Sequence, residues 1–135
     1  MIGRDCLLTA IGTDIISVKR IKEFVLLKGE ASQEVFTVRE MKNSIEFENP
    51  FEFLSLSFSI KESVFKATGW GWQRGIRWTD VEAHIPSDKP PQIIFQGEIQ
   101  RWLKDQNIIC YDCFSFMIND LLNTYIVTLI AFYRR

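Results

Sequence analysis

The sequence contains few residues of several types, and each shortage narrows the range of possible functions. His84 is the single histidine, and no Gly-x-Ser-x-Gly segment accompanies it, so we interpret it as a structural residue and do not predict a His-dependent triad. Three cysteines argue against a disulfide framework and favour a reducing, cytoplasmic compartment. Cys110-x-x-Cys113 has no second pair, so no zinc or redox site is predicted. A net charge of -1 gives no overall field to attract nucleic acid.

Long hydrophobic runs are also missing. The apolar tail Thr124–Tyr133 is ten residues long, too short to span a bilayer, and predicts a buried strand. The apolar run that follows Arg4 and Asp5 is too short for a signal peptide. A hydrophobic content of 47% and an aromatic content of 13% nevertheless indicate a globular chain. Its 135 residues suit a single domain over positions 1–135 with its own core.

One apolar helical pattern dominates the sequence, from about Phe51 to the residue before Gly69, with Pro50 suited to its first turn. A thin polar stripe runs along it at helical spacing and consists of Ser55, Ser59, Glu62 and Lys66. The simplest interpretation is an i,i+4 pair between Glu62 and Lys66 on a solvated edge. On a largely buried helix, however, these two charges need a partner, which is each other, a metal or a ligand.

The residues before this helix offer a second carboxylate. Leu7–Ile16 predicts a strand that is interrupted at Gly12 and resumes after Asp14. An aspartate inside an apolar strand is costly unless something binds it. Alternatively, Thr13 or Asp14 caps the helix that follows. The sequence leaves both interpretations open.

Two further helices are predicted before the central one. The helix Ser17–Lys28 carries Lys19, Arg20 and Lys22, which form either a solvated basic face or a surface for an acidic partner. Thr37 and Glu40 have the spacing of a capping box at the start of a short second helix.

A glycine-rich loop follows the central helix. Gly69, Gly71 and Gly75 let the backbone approach a ligand closely, and Arg74 and Arg77 favour phosphate, although a helix C-cap followed by a turn is the simpler interpretation. The remaining chain predicts, in order, a hairpin of two strands, an amphipathic helix and two further strands, over Trp78–Ile85, Gln92–Phe95, Gly97–Gln106, Ile108–Ile118 and Thr124–Tyr133.

Two segments together resemble a known family. The first is Gly12-Thr13-Asp14, and the second is Lys61-Glu62-Ser63-Val64-Phe65-Lys66, with Phe58 as an aromatic residue ahead of it; forty-eight positions separate Asp14 from Glu62. This paired pattern resembles the signature of the 4′-phosphopantetheinyl transferases, of the holo-[acyl-carrier-protein] synthase type. The likeness covers roughly residues 8–97.

The resemblance implies a fold and a reaction. We predict an α+β fold in which an antiparallel sheet packs against the helix 51–68. The implied enzyme transfers 4′-phosphopantetheine from coenzyme A to a serine of an apo acyl carrier protein, depends on Mg²⁺ and releases adenosine 3′,5′-bisphosphate. Asp14 and Glu62 are the implied metal ligands, and Glu62 and Lys66 the implied catalytic residues. Lys66, Gly69 and Gly71 are expected to border the coenzyme A nucleotide.

The resemblance also implies partners. Lys19, Arg20 and Lys22 are expected to meet an acidic acyl carrier protein of fatty-acid or polyketide synthesis, and the small members of the family are homo-trimers with active sites between subunits. The chain departs from the family where a Ser-His usually precedes the final strand, because Phe114–Asp120 contains no histidine. This departure leaves open a second hypothesis, a non-catalytic module that binds coenzyme A or a carrier protein.

Overall fold

The computed structural model describes residues 5–69 and 75–135. Its α-helices are α1 (Val18–Lys28), α2 (Val38–Ser44), α3 (Pro50–Thr68) and α4 (Gly97–Asp105), with 3-10 turns at Gly29–Glu34 and Trp78–Asp80. Its strands are β1 (Leu7–Ser17), β2 (Val81–His84), β3 (Gln92–Phe95), β4 (Ile108–Asn119) and β5 (Thr124–Arg134). The predicted α+β class is therefore confirmed.

The strands form two antiparallel sheets. The larger has the order β1-β5-β4, so the apolar C-terminal strand β5 lies in the middle and pairs with a neighbour on each side. The smaller is the predicted hairpin β2-β3. Its first strand begins at Val81 and not at Trp78, because the carboxylate of Asp80 accepts the Arg77 amide at 3.0 Å and closes a 3-10 turn ahead of the strand.

Helix α3 packs on the inner face of the three-stranded sheet, as predicted. Asn49 caps its first turn, Pro50 occupies the first helical positions, and Gly69 ends it in the left-handed conformation with φ of 73°. Ile60 and Val64 are fully buried and share one core cluster with Ile130 and Phe132 of β5. Burial of this apolar face against the sheet provides the main stabilisation of the fold.

Strand β1 differs from its prediction. It runs without interruption through Gly12 and Asp14, which lie opposite Ile130 and Thr128 of β5. Gly12 is needed for another reason: a Cβ atom there would lie 1.7 Å from the carbonyl oxygen of Ser63 in α3. The glycine thus permits close approach of helix and strand and does not break the strand.

The structure decides between the two interpretations that the sequence left open for Asp14. Ser17 caps α1, and its hydroxyl accepts the Arg20 amide at 3.4 Å. Neither Thr13 nor Asp14 is the capping residue, since both lie inside β1. Asp14 is therefore a carboxylate within a strand, and its burial costs free energy unless a partner binds it.

The outer face of the larger sheet is apolar and exposed. Residues paired on neighbouring strands place their side chains on the same face of the sheet. Phe114 of β4 pairs with Leu129 of β5, and Val127 of β5 pairs with Phe116 of β4 on one side and with Ile15 of β1 on the other. The large exposed apolar residues of this face are Ile11, Ile15, Phe114, Phe116, Ile118 and Leu129. Such a contiguous apolar surface is typical of an interaction site.

Within 5–69 and 75–135, no helix has the length and apolar character that crossing a bilayer requires.

Candidate active site between β1 and α3

Asp14 and Lys66 meet across the contact between β1 and α3. The Lys66 Nζ lies 2.9 Å from the Asp14 Oδ1, with the lysine side chain 53% exposed and the aspartate side chain only 9% exposed. Lys66 therefore forms its ion pair with the strand, and the simple interpretation of an i,i+4 pair with Glu62 does not describe this helix. The close approach at Gly12 brings the two elements near enough for this contact.

The second oxygen of Asp14 has no partner in residues 5–69 and 75–135. Asp14 Oδ2 is buried and forms no hydrogen bond within the described residues. A buried carboxylate oxygen without a donor costs free energy, so this atom favours a cation or a ligand donor. Its position in the contact between strand and helix means that such a group would be held by both elements.

Glu62 lies close enough to Asp14 for the two charges to interact. Partial burial raises the pKa of Glu62, the negative charge of Asp14 raises it further, and Lys66 opposes the rise. Two carboxylates that repel each other are the arrangement that a divalent cation relieves. Within the described ranges, no cluster of three or more His, Cys, Asp or Glu is present as a metal site. Two carboxylates fit Mg²⁺, which keeps several waters and takes phosphate oxygens to complete its shell.

The two carboxylates line a cleft of about 530 Å³. Its other walls are mostly apolar and include Phe58 and Trp78, whose rings stack at 4.9 Å between centroids. Arg20 of α1 also lines the cleft. An acidic pair thus lies in a partly apolar cleft, beside a lysine and an arginine, which suits a substrate that combines phosphate groups with less polar parts.

The predicted nucleotide-binding residues are only partly described. Gly69 is exposed, its N–H donates to the Lys66 carbonyl at 3.2 Å, and a Cβ at Gly69 would meet no atom within 4 Å among the described residues. Gly71 and Arg74 lie outside the residues that the structure describes. Arg77 forms an ion pair with Asp80 at 3.3 Å, so its charge is partly satisfied within its own turn.

Helix α1 carries a basic surface, of which Arg20 borders the cleft. Lys19, Arg20 and Lys22 are all exposed, and the Lys22 ammonium lies 5.6 Å from the centre of the Phe51 ring. Arg20 connects this basic surface with the carboxylate pair, because it lines the same cleft. An acidic partner on α1 would therefore lie next to Asp14 and Glu62.

The sequence interpretation missed a buried ion pair next to this site. Lys61 is part of the family motif, but the sequence assigns it no role. Its ammonium is fully buried and lies 2.8 Å from Glu40 Oε1. Glu40 also completes the predicted capping box with Thr37, which the structure confirms. The available signal was a charged residue at a core position, because such a group requires a buried partner.

The segment that lacks the family's histidine lies at the end of β4. Asn119 is exposed and accepts a hydrogen bond from the Thr124 hydroxyl at 2.7 Å, beside the turn between β4 and β5. Asn119 is therefore engaged within this turn.

Comparisons with known proteins agree on one family. The family model described as the 4′-phosphopantetheinyl transferase superfamily matches residues 10–129. A holo-[acyl-carrier-protein] synthase of Chlamydia caviae is 32% identical over 94 residues, which cover 69% of this chain and 76% of that protein. A protein of the same name from Pseudoalteromonas atlantica is 37% identical over 98 residues, covering 73% and 78%.

Solved structures show the same fold. The acyl carrier protein synthase of Plasmodium yoelii with ADP bound aligns with a TM-score of 0.80 at 18% identity and covers 97% of this chain and 98% of its own. The holo-[acyl-carrier-protein] synthase of Neisseria meningitidis aligns with a TM-score of 0.76 at 24% identity, covering 93% and 98%. At these identities the structural likeness establishes the fold alone.

Proposed function

The chain belongs to the 4′-phosphopantetheinyl transferase superfamily, and from this premise we propose that it transfers 4′-phosphopantetheine from coenzyme A to a serine of an apo acyl carrier protein. Its curated relatives carry the name holo-[acyl-carrier-protein] synthase. The observation that carries the proposal is the cleft in which Asp14 and Glu62 lie together, with Lys66 paired to Asp14.

Asp14 and Glu62 are the residues that would hold Mg²⁺. The unpartnered Asp14 Oδ2 and the charge repulsion felt by Glu62 support this assignment. When bound there, the ion would neutralise charge on the pyrophosphate of coenzyme A. The protein's own contribution is to keep the two carboxylates at fixed positions on a strand and a helix, so that little reorganisation is needed.

The reaction is a phosphoryl transfer. The carrier serine oxygen bonds to the β-phosphorus of coenzyme A, the bond from that phosphorus to the bridging oxygen breaks, and adenosine 3′,5′-bisphosphate leaves. Glu62 lines the cleft beside Asp14 and is the group proposed to take up the serine proton. Lys66 is half exposed at the cleft and can stabilise the negative charge of the transferred group with its ammonium.

The end of α3 is proposed to border the nucleotide. Gly69 is exposed, and a Cβ there would meet no atom within 4 Å in residues 5–69 and 75–135, so a phosphate or sugar is proposed to approach its backbone. Lys66, one turn earlier, adds a positive charge on the same side of the helix end. Gly71 is retained in this proposal from the family resemblance and lies outside the described part of the chain.

The carrier protein is proposed to dock on α1. Lys19, Arg20 and Lys22 present positive charge to an acidic helix, whether the carrier serves fatty-acid or polyketide synthesis. Because Arg20 lines the cleft that holds Glu62, a carrier bound there would bring its serine to the carboxylate pair.

We further propose a cytoplasmic homo-trimer. The exposed apolar outer face of the β1-β5-β4 sheet supports self-association, since a surface of this kind is seldom left in water. The free state of Cys6, Cys110 and Cys113 supports a reducing compartment.

Release of adenosine 3′,5′-bisphosphate tests the proposed function. Coenzyme A and Mg²⁺ are incubated with the protein, with and without an apo acyl carrier protein, and the nucleotide is quantified by chromatography. Release should require the carrier and should fall by at least about 10²-fold in folded Asp14→Asn and Glu62→Gln variants. Glu98→Gln on α4 removes a carboxylate from an exposed ion pair and is the matched control, with unchanged release. Full release by the two site variants would contradict the proposed mechanism.

A further inference from the structure

Helix α3 contains a buried cation directly before Glu62. Lys61 is fully buried, and its ammonium meets three acceptors: Glu40 Oε1 at 2.8 Å, the Trp78 carbonyl at 3.2 Å and the Val81 carbonyl. An ammonium group has three N–H donors, so every donor of Lys61 is used. The proposed reaction assigns this residue no role, because its ammonium points away from the cleft into the contact with α2 and β2.

The partner carboxylate is satisfied as completely as the cation. Glu40 Oε1 also accepts the Thr37 amide at 2.9 Å, and Glu40 Oε2 accepts the Ala83 amide at 3.0 Å and the Ser57 hydroxyl. Glu40 is itself fully buried. A fully bonded buried pair of this kind selects one arrangement of the elements that it joins, because any other leaves buried charges unpaired.

This network links α2 to two parts of the cleft wall, α3 and the segment that carries Trp78. It connects α2 through Glu40, α3 through Lys61, and the segment that carries Trp78 through two of its carbonyl groups. Trp78 is a wall of the cleft and stacks on Phe58. The bond to the Trp78 carbonyl therefore fixes the backbone from which this wall projects.

The network also sets the rotation of α3. Consecutive residues of an α-helix point about 100° apart, so a helix that anchors Lys61 toward α2 and β2 must direct Glu62 to a different neighbour. That neighbour is β1, where Gly12 approaches the Ser63 backbone and Asp14 pairs with Lys66. Lys61 is thus held on the side of α2 and β2 and Lys66 on the side of β1, and Glu62 lies between these two residues around the helix.

We propose that Lys61, through its pair with Glu40, is a positioning residue for the active site. Lys61 orients Glu62 toward Asp14. It also holds the backbone of Trp78, whose side chain lines the cleft. The inference depends on the proposed function only in that Asp14 and Glu62 are taken to bind Mg²⁺. A purely structural pair, by contrast, could be exchanged for uncharged residues without any effect on the metal site.

The test replaces both charges together, because a single replacement leaves the other charge buried. In the Glu40→Gln/Lys61→Met double variant we expect the Mg²⁺ concentration for the half-maximal rise in thermal midpoint, with coenzyme A present, to increase by about tenfold. In the carrier-loading assay kcat should fall by about 10- to 100-fold, with a smaller change in the KM for coenzyme A. The thermal shift needs no turnover, so failure of the proposed transfer reaction and failure of this proposal give different results.

Two matched variants separate positioning from stability. Ser57→Ala removes one hydrogen bond to Glu40 but keeps the ion pair, so it should lower the thermal midpoint and leave the Mg²⁺ requirement unchanged. Glu98→Gln/Arg101→Met removes an exposed pair and should change neither. If this double variant does not fold, Glu40→Gln/Lys61→Gln, which removes both charges but keeps hydrogen-bond donors at both positions, is measured for an intermediate shift in the Mg²⁺ requirement. The proposal would be overturned by a folded variant that lacks the Glu40–Lys61 pair and still has the Mg²⁺ requirement and kcat of the wild-type protein.

Discussion

Substitution of Gly12 by alanine tests the contact that brings the two proposed catalytic elements together. The added Cβ would lie 1.7 Å from the Ser63 carbonyl oxygen, 2.7 Å from the Ser63 carbonyl carbon and 2.9 Å from the Ala67 amide nitrogen. All three atoms belong to the backbone of α3, so no side chain can rotate away. Restoring ordinary contact requires the helix and the strand to separate by roughly 1.5–2 Å.

The cost of that separation can be estimated from overpacking in cores. Insertion of one methyl group into a well-packed core costs about 1–3 kcal/mol and sometimes more, and a backbone clash belongs at the upper end. We expect Gly12→Ala to lower the free energy of unfolding by about 3 kcal/mol or more, and the thermal midpoint by about 10 °C or more. Because the shift separates Asp14 from Glu62 and Lys66, carrier loading by the folded fraction should fall by about 10²-fold.

Urea and thermal unfolding, followed by circular dichroism, measure the changes in the free energy of unfolding and in the thermal midpoint. Gly29→Ala is the control for activity, since a Cβ at Gly29 meets no atom within 4 Å among the described residues. Its backbone, with φ of 49°, strains an alanine, so this control should lose stability from backbone strain alone and keep its activity. A Gly12→Ala protein as stable and active as the wild-type protein would refute the inference that close backbone packing positions the site.

Three further predictions concern the charges of the site. Lys66→Met should reduce kcat by about 10²–10³-fold and should also lower the free energy of unfolding by about 1–3 kcal/mol, because it leaves the mostly buried Asp14 carboxylate without its ammonium partner. Steady-state loading and urea unfolding measure the two effects, and an unchanged kcat would contradict the role of Lys66. Since Glu62 has a raised pKa, the folded protein binds its proton more tightly than the unfolded chain, so in EDTA stability should fall as pH rises from the ordinary glutamate pKa through the raised one. Glu62→Gln should remove that fall in urea titrations, and a pH profile identical to wild type would contradict it. Mg²⁺ with coenzyme A should raise the thermal midpoint of the wild-type protein and not that of Asp14→Asn, whereas an equal rise in both would exclude Asp14 as a ligand.

Much of the fold could be predicted because local signals and tertiary structure agree. Pro50 and Gly69 bound the central helix at the positions that the sequence indicated, and Thr37 with Glu40 forms the predicted cap. The interruption of β1 was wrong because a glycine in a strand was interpreted as a local break. Its cause is a contact with α3, which lies fifty residues away in sequence and leaves no local signal.

The structure brings the three residues Asp14, Glu62 and Lys66 together, in a pairing that the sequence did not predict. Helical periodicity placed Glu62 and Lys66 on one face, and the structure pairs Lys66 with Asp14 across the strand. The Glu40–Lys61 pair was missed, because the two residues come from different helices and only the fold makes them neighbours. Periodicity identifies which face a charged residue occupies, but the partner on the opposite element depends on packing.

The intact mass of an apo acyl carrier protein tests the central claim most directly. The carrier is incubated with the protein, coenzyme A and Mg²⁺, in parallel with an EDTA reaction and an Asp14→Asn reaction. We expect a gain of roughly 340 Da, the mass of one phosphopantetheine arm, in the first reaction and no gain in the other two. If several carrier proteins gain no mass while coenzyme A still raises the thermal midpoint, the chain is a binding module and the proposed transfer reaction is wrong.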